Sequence, residues 1–336
     1  MKKRLFIPVA IALIILLAYN VAIAFAAKKT QRQHLLSALD HLPASTDCLF
    51  LGNSLVEAGC DPGAFESSWV PTDSSPMAAN LGLGATTPVE HYLILKQALS
   101  RPVHIKYVIY GFFDDQLNAT PDGAWEDLVG NRAFSYYFPK DAAAFYGPHF
   151  PLAEWRMEMT GHIPMLAERS SLWDHVELVR RRLDEIGMPK QKVNRFGRAG
   201  DFNALEARDA PDFTRRCDAV VRGQKGFSAP IQAMIDLAHE HGAKFLLVEM
   251  PMSPRHLETF YSLPVWTEMR GHLQSLARAR HVTYITASDW VTDGGSFEDT
   301  VHLNELGAHI FSARLGAALS QMSLGKTNEL VAASGK

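Results

Sequence analysis

The chain has 336 residues, 47% of them hydrophobic and 21% charged, with a formal net charge of -3. That is material for one large α/β domain without forcing a second, and with no stripe of Lys and Arg to neutralise phosphates it excludes a nucleic-acid partner. Cys48, Cys60 and Cys217 are too few for a disulfide framework; Cys48 reads as a small core residue, a Cys60–Cys217 bridge is left open, and no Cys or His spacing resembles a zinc site.

The N-terminus is patterned for a membrane. Met1-Lys2-Lys3-Arg4 precedes an uncharged run from Leu5 to Ala27, and Lys28-Lys29 follows. About 20 apolar residues cross a bilayer as a helix, whereas a secretory core is about 7–15. Residues 1–28 are therefore expected to be a signal-anchor or transmembrane segment. Ala24-Phe25-Ala26 also fits a small-x-small cleavage site, so a cleaved signal is the alternative. In both cases the globular part is expected outside the cytoplasm, with the basic cluster inside.

Residues 29–322 read as the folded domain. Leucines at helical spacing predict a helix over Gln31 to Leu42, and the short apolar run Cys48 to Leu51 predicts a buried parallel strand. Met77 to Leu81 is a second strand. Val89 to Leu99 is a helix with Pro88 near its start, and Lys106 to Tyr110 is a third strand ended by Gly111. From about 118 to 225 the alternation breaks, and this stretch reads as a mostly helical insertion capping the strand ends, in which Ser171 to Ile186, carrying Arg180-Arg181-Arg182, has the one convincing helical pattern. Tyr136, Tyr137, Phe138, Phe145, Tyr146, Trp155 and Trp173 there fit either a cleft lining or core packing. Alternation resumes with a helix over Ala229 to His241, a strand over Lys244 to Glu249, and a loop from Pro251 to Arg255. A helix over Leu263 to Arg280, a fifth strand over Val282 to Thr286 and a last helix over Asn304 to Met322 complete it. Residues 323–336 are a polar tail.

Strand, helix, strand in this order predicts a three-layer α/β fold, a flavodoxin-like five-stranded parallel sheet. In such a sheet, ligands bind outside the carboxyl ends of the strands. Ser54 follows strand one, Gly84 strand two, Asp114 strand three, Arg255 strand four, and Asp299 with His302 lies beyond strand five. A hydroxyl becomes a nucleophile when a neighbouring base takes its proton and a third group orients that base. Ser54, His302 and Asp299 supply those groups, with Glu298 a neighbouring substitute for the acid. Singly, Ser54 reads as a helix N-cap and His302 as one of 14 histidines; jointly, at the strand ends, they read as one site. Gly82 and Gly84 lack the lysine of a phosphate loop. Asp114 and Asp115 read as a metal or glycosidase pair or, with Asn118, as residues shaping the loop after strand three.

Several of these residues carry a family resemblance. Leu49 to Gly59, LFLGNSLVEAG, resembles the first block of the GDSL or SGNH hydrolases, Asn80 to Thr86 the second, and Asp299-Thr300-Val301-His302 the last, an Asp-x-x-His. The resemblance spans roughly 45–120 and 226–320. It implies Ser54 as nucleophile, His302 as base, Asp299 as its partner, and the N–H groups of Ser54 and Gly84 as oxyanion donors. Two positions depart from the pattern. Asn53 stands in place of the name-giving Asp, and Gly111-Phe112-Phe113-Asp114 puts Phe113 where the family's oxyanion asparagine belongs. Losing one such donor costs about two to three orders of magnitude in turnover.

The layout is similar to membrane-anchored branches of that superfamily that accompany envelope O-acylation. The resemblance implies an extracytoplasmic serine esterase or O-acyltransferase acting on a cell-envelope glycan or another acyl ester, with a membrane acyl carrier protein as partner and no cofactor. Asn53, Asp114 and Arg255 are the substrate-binding candidates. A catalytically silent binding or scaffold subunit of an envelope polysaccharide machine is the alternative, favoured by Phe113 and opposed by the joint presence of Ser54, Asp299 and His302.

Overall fold

A computed structural model describes residues 2–27, 31–69, 75–118, 135–146, 152–168 and 202–323. The chain begins with helices α1 (Lys2–Ala27) and α2 (Gln31–Asp40). Strand β1 (Thr46–Leu51) leads to α3 (Ser54–Gly59) and α4 (Pro62–Ser67), then to β2 (Met77–Asn80), α5 (Pro88–Leu99) and β3 (Tyr107–Phe112). Helices α6 (Pro139–Tyr146), α7 (Ala153–Gly161) and α8 (Pro164–Ala167) follow, then α9 (Phe202–Arg222) and α10 (Ala229–Glu240). The chain closes with β4 (Lys244–Glu249), α11 (Pro264–Ala279), β5 (Thr283–Thr286) and α12 (Glu305–Ser323).

Two compact units divide these elements. One joins Met1–His41 to Pro121–Lys190; the other joins Leu42–Thr120 to Gln191–Lys336. The second holds the sheet, five parallel strands in the order β2-β1-β3-β4-β5, which is the flavodoxin-like order expected. Cys48, Leu49, Phe50 and Leu51 of β1 are all buried, as are Val108 to Phe112 of β3, so both faces of the central strands are covered. Right-handed crossovers place the β1–β2 connection on one face and the connections moving the other way across the sheet on the opposite face. Accordingly α4 packs with α12, and α5 with α10.

Local signals explain the helix starts. Glu90 Oε2 accepts the Thr87 N–H at 2.8 Å, closing a capping box at the start of α5, and Pro88 and Pro264 sit at first-turn positions where no N–H is needed. Gly242, with φ of 73°, ends α10 in the left-handed region.

Three local readings change. Gly111 does not end β3; it pairs with Val248 inside the strand. A Cβ there would collide with Val56 Cγ2 and lie 2.6 Å from Met250 Sδ, so the glycine admits side chains from α3 and from the end of β4 rather than breaking the strand. Within the insertion, the 202–222 stretch, which has no convincing helical pattern in sequence, is the long helix α9 with Pro211 inside it; Phe213, Cys217 and Val220 form its buried stripe. After Pro251 the expected loop holds a single turn, Pro254–His256, running into a π turn, Leu257–Tyr261.

In the other unit, α1 is long and apolar enough over Ile7–Ala26 to cross a membrane, the one such helix among the described residues. Its Asn20 Oδ1 accepts the Met165 N–H at 3.0 Å. Tyr137 accepts from Gln33 Nε2 at 2.9 Å and donates to Glu168 Oε1 at 2.6 Å. Tyr136 and Tyr146 are buried there, whereas Trp155 is 57% exposed, so the aromatic set divides between packing and surface. The predicted helix over Ser171 to Ile186, with Trp173 and the arginine run, lies outside the described residues, as does the tail beyond Ser323. Cys48, Cys60 and Cys217 are free thiols, all buried, so no Cys60–Cys217 bridge is formed.

Candidate active site

Ser54 is delivered by the end of β1. Gly52 and Asn53 turn the chain out of the strand, and Ser54 becomes the first residue of α3, with Asn53 Oδ1 accepting the Leu55 N–H at 3.0 Å. Asn53, a substrate-binding candidate by sequence, thus caps the helix that begins at Ser54 with its side-chain oxygen. At this first helical position the Ser54 N–H has no intrahelical acceptor. The loop after β2 lies directly against α3. Asn80 Nδ2 donates to Val56 O at 3.0 Å and to Cys60 O at 2.8 Å, and a Cβ on Gly82 would collide with the Glu57 backbone nitrogen. Only glycine at position 82 permits that approach.

Asp299 and His302 arrive on a short loop beyond β5. An antiparallel bridge between Phe297 and Leu303, with the Glu298 N–H donating to His302 O at 2.8 Å, closes the loop so that residues 299 and 302 share one side. Asp299 Oδ1 accepts the backbone N–H groups of Val301 at 2.9 Å and His302 at 2.8 Å. Leu303 is buried and lies against Gly59, the last residue of α3, which fixes the loop to the helix carrying Ser54.

The three side chains meet in one line. His302 Nδ1 is 2.8 Å from Asp299 Oδ2 and 3.0 Å from Oδ1, and His302 Nε2 is 2.8 Å from Ser54 Oγ. Side-chain exposure is 3% for His302 and 0% for Asp299. Burial by itself raises the Asp299 carboxyl, but the hydrogen bond from His302, the Val301 N–H, and the charge and N–H of His302 outweigh it. The group is held well below the usual carboxylate range. An ionised carboxylate only accepts, so Nδ1 carries the proton and Nε2 offers a lone pair to the Ser54 hydroxyl.

No family model matches the chain, and no curated protein matches it. Among solved structures 39 chains match. The chain is similar to a GDSL-like lipase from Bacteroides thetaiotaomicron, with 11% identity, 87% of this chain and 98% of that one covered, and a TM-score of 0.39. It is similar to the inhibitor-bound aryl esterase of M. smegmatis, with 12% identity, coverage of 84% and 100%, and a TM-score of 0.37. For the lipase/acylhydrolase of Enterococcus faecalis the values are 10%, 82% and 96%, and 0.36. What this chain's site can do rests on its own side chains.

Around Ser54 the other candidates separate. Gly84 lies close by, so that a Cβ on it would sit 3.6 Å from Ser54 Cβ, but its N–H donates to Glu57 Oε2 at 2.7 Å. The expected oxyanion donor therefore holds a carboxylate in this conformation. Sequence does not single out Glu57; its spacing from Ser54, one helical turn on, is the available signal. Beneath that loop the Thr86 hydroxyl donates to Leu83 O and lies 2.8 Å from His91 Nε2, while His91 Nδ1 is 2.9 Å from Tyr110 Oη. Complete burial pushes His91 down to about 3, so it is neutral.

Asp114 follows β3 in the left-handed region, with φ of 48°, an uncommon conformation for a non-glycine residue. Its N–H donates to Tyr261 Oη at 3.1 Å and its carboxylate is 3.3 Å from His256 Nε2. Arg255, proposed by sequence, is exposed; its neighbour His256 is the buried residue that turns toward Asp114. Asp115 pairs with Arg216 of α9, which assigns it to shaping the loop. Among the described residues no group of three or more His, Cys, Asp or Glu is arranged to hold a metal ion.

Proposed function

We propose that this chain is a serine-dependent ester hydrolase or O-acyltransferase working through an acyl-enzyme on Ser54. The observation carrying this reading is the unbroken relay from the Ser54 hydroxyl through His302 to buried Asp299, with its 2.8 Å links at both ends of the imidazole. His302 Nε2 takes the hydroxyl proton as Ser54 Oγ attacks an acyl carbonyl. Asp299, ionised, stabilises the imidazolium that forms. The new oxyanion takes the Ser54 N–H and, once Glu57 has moved off it, the Gly84 N–H. His302 then protonates the departing alcohol or thiol, and the acyl group stays on Ser54. In the second half His302 deprotonates water or an acceptor hydroxyl, which attacks the acyl carbonyl, and the C–O bond to Ser54 breaks as His302 returns that proton to Ser54 Oγ.

The finer reading places the domain outside the cytoplasm on a retained α1, with a cell-envelope glycan as acyl acceptor and a membrane acyl carrier protein as donor. It is supported by the length and apolarity of α1 and by the sequence resemblance to anchored O-acylation proteins. Phe113, half-buried at the end of β3, supplies no donor where the resemblance expects an asparagine. This favours a slow, specialised transfer over fast general hydrolysis.

A fluorophosphonate probe tests the reading. Wild type is expected to form a covalent adduct of one probe per chain, located to Ser54 by peptide mass spectrometry, and Ser54→Ala to form none. Absence of any adduct, under conditions that label a control esterase, would favour the silent scaffold subunit instead.

A further inference from the structure

At the carboxyl ends of β4 and β5, away from Ser54, an open cavity of about 230 Å³ lies among Tyr261 at the end of the π turn, Ser262 just after it, Arg270 from α11, and Thr286, Ser288 and Asp289 at and beyond the end of β5. None of these residues belongs to the relay. The volume is below the range of about 300–1,000 Å³ that holds drug-sized ligands, so a single small ring or headgroup fits.

Arg270 is set in this wall by a fully buried carboxylate. Its Nε donates to Glu249 Oε2 at 3.0 Å, and its Nη2 donates to Glu249 Oε1 at 2.6 Å and to Ser288 Oγ at 3.3 Å. Glu249 also accepts the Tyr284 hydroxyl at 3.0 Å. One edge of the guanidinium is thereby fixed, its face lies over the rings of Tyr261 and Trp266, and its Nη1 edge takes no part in these bonds. The side chain keeps 27% of its surface. A buried ion pair is weak evidence of stability but a strong means of orientation. The second wall is equally unusual. π turns are rare and concentrate at functional sites, and this one positions both Tyr261 and Ser262.

Charge decides what enters. Glu249 cancels Arg270, leaving exposed Asp289 as the net charge of the wall, so phosphate and uronate groups are disfavoured. What remains is a mix of donors and acceptors: the Arg270 Nη1 edge, the hydroxyls of Thr286 and Ser288, the Ser262 oxygen as an acceptor, since its O–H donates to Glu258 O at 2.6 Å, and the Asp289 carboxylate. Leu257 adds an apolar contact. A ring bearing several neutral hydroxyls satisfies both kinds.

Resting on the acyl-transfer reading above, we propose that this cavity is a subsite for a neutral pyranose unit of the glycan substrate. It shares the carboxyl edge of the sheet with Ser54. Because β1 and β5 stand three strand spacings apart, about 14 Å, the ring held here is not the one acylated but another unit of the same chain. The subsite would select a neutral polymer over a polyanionic one.

Isothermal titration of the full chain in detergent tests this, with maltopentaose, cellopentaose and chitopentaose as neutral probes and tetragalacturonate and inorganic phosphate as anionic ones. At least one neutral oligosaccharide is expected to bind saturably, and more tightly than either anion. Ser262→Trp, filling the cavity from an exposed position, and Asp289→Ala, removing the acceptor, are each expected to weaken that binding at least tenfold with wild-type melting temperatures. The proposal is overturned if none of the three neutral probes binds, if Ser262→Trp binds as well as wild type, or if an anion binds best. Fluorophosphonate labelling of wild type reports separately on the acyl-transfer reading: sugar binding without labelling sinks that reading and leaves the subsite standing.

Discussion

A hydroxyl at Ser54 is worth little without the imidazole's lone pair facing it, and that orientation is set by Asp299. Asp299→Asn keeps the shape but can present an amide N–H to Nδ1, turning the imidazole to the wrong tautomer. The expected loss in kcat is about 10⁴-fold, read by ester hydrolysis with melting temperature as the fold control; a loss below tenfold would remove Asp299 from its role. Glu57 makes the opposite prediction. Its carboxylate holds the Gly84 N–H at 2.7 Å, and in the proposed mechanism a developing oxyanion would have to compete for it. Glu57→Ala is expected to speed labelling of Ser54 by about 10–100-fold, no more than the 10²–10³ that one oxyanion donor is worth. An unchanged or slower rate would show that Glu57 supports the loop instead of competing with the oxyanion. The contrast also marks what was legible. Ser54 was readable because a strand, a tight turn and a hydroxyl are contiguous in sequence, and Asp299 with His302 because their spacing is local. The Glu57–Gly84 contact was not, because it depends on one turn of α3 laying residue 57 over a loop that only Gly82 allows so near.

At the scale of elements, the loop bearing Gly84 rests on a buried polar chain from Leu83 O through Thr86 and His91 to Tyr110. Because Thr86 donates to Leu83, its oxygen accepts from His91 Nε2–H, and His91 Nδ1 accepts from the Tyr110 hydroxyl. Tyr110→Phe leaves that nitrogen unsatisfied in the core and is expected to cost about 1–3 kcal/mol, measured by denaturant unfolding. The same histidine couples stability to acid. Its folded value of about 3 lies below its unfolded value of about 6.5. Between the two only the unfolded chain binds the proton, so stability is complete above about 6.5 and falls as pH drops toward 3, by about 1.4 kcal/mol per pH unit. His91→Gln is expected to flatten the fall in melting temperature between pH 6 and 4; an unaltered slope would assign acid sensitivity elsewhere. β4, readable from its apolar run and flanking signals, has the bounds its sequence gives. α9 was unreadable as a helix because Pro211 and the charges around it mask the Phe213, Cys217 and Val220 stripe, which only burial against α11 and the π turn makes meaningful. Gly111 was misread because a strand-ending glycine and a glycine admitting Val56 and Met250 look alike until the crossover helix is in place.

For the molecule as a whole, the exposed apolar surface of α1 is the feature to be accounted for. Ile14, Leu17 and Phe25 are 66%, 65% and 66% exposed, and apolar side chains point outward around most of its length, with Asn20 bonded to Met165 of α8 and Ile23 buried. At about 25 cal/mol per Å² that surface is costly in water and satisfied by hydrocarbon, so the helix belongs in a bilayer or is removed. The two fates predict different proteins. If α1 is retained, the chain stays with membranes through alkaline carbonate extraction, leaves them only with detergent, and carries Met1 by intact mass. If it is cleaved after Ala26, the product is soluble and lighter by that segment. By the positive-inside tendency, the basic residues at positions 2 to 4 would orient a retained helix with its N-terminus inside. Protease added to intact spheroplasts is then expected to digest the domain bearing Ser54 while a cytoplasmic marker survives. Protection of that domain until the membrane is broken would place the relay on the cytoplasmic side, and an envelope glycan could not then be its acceptor.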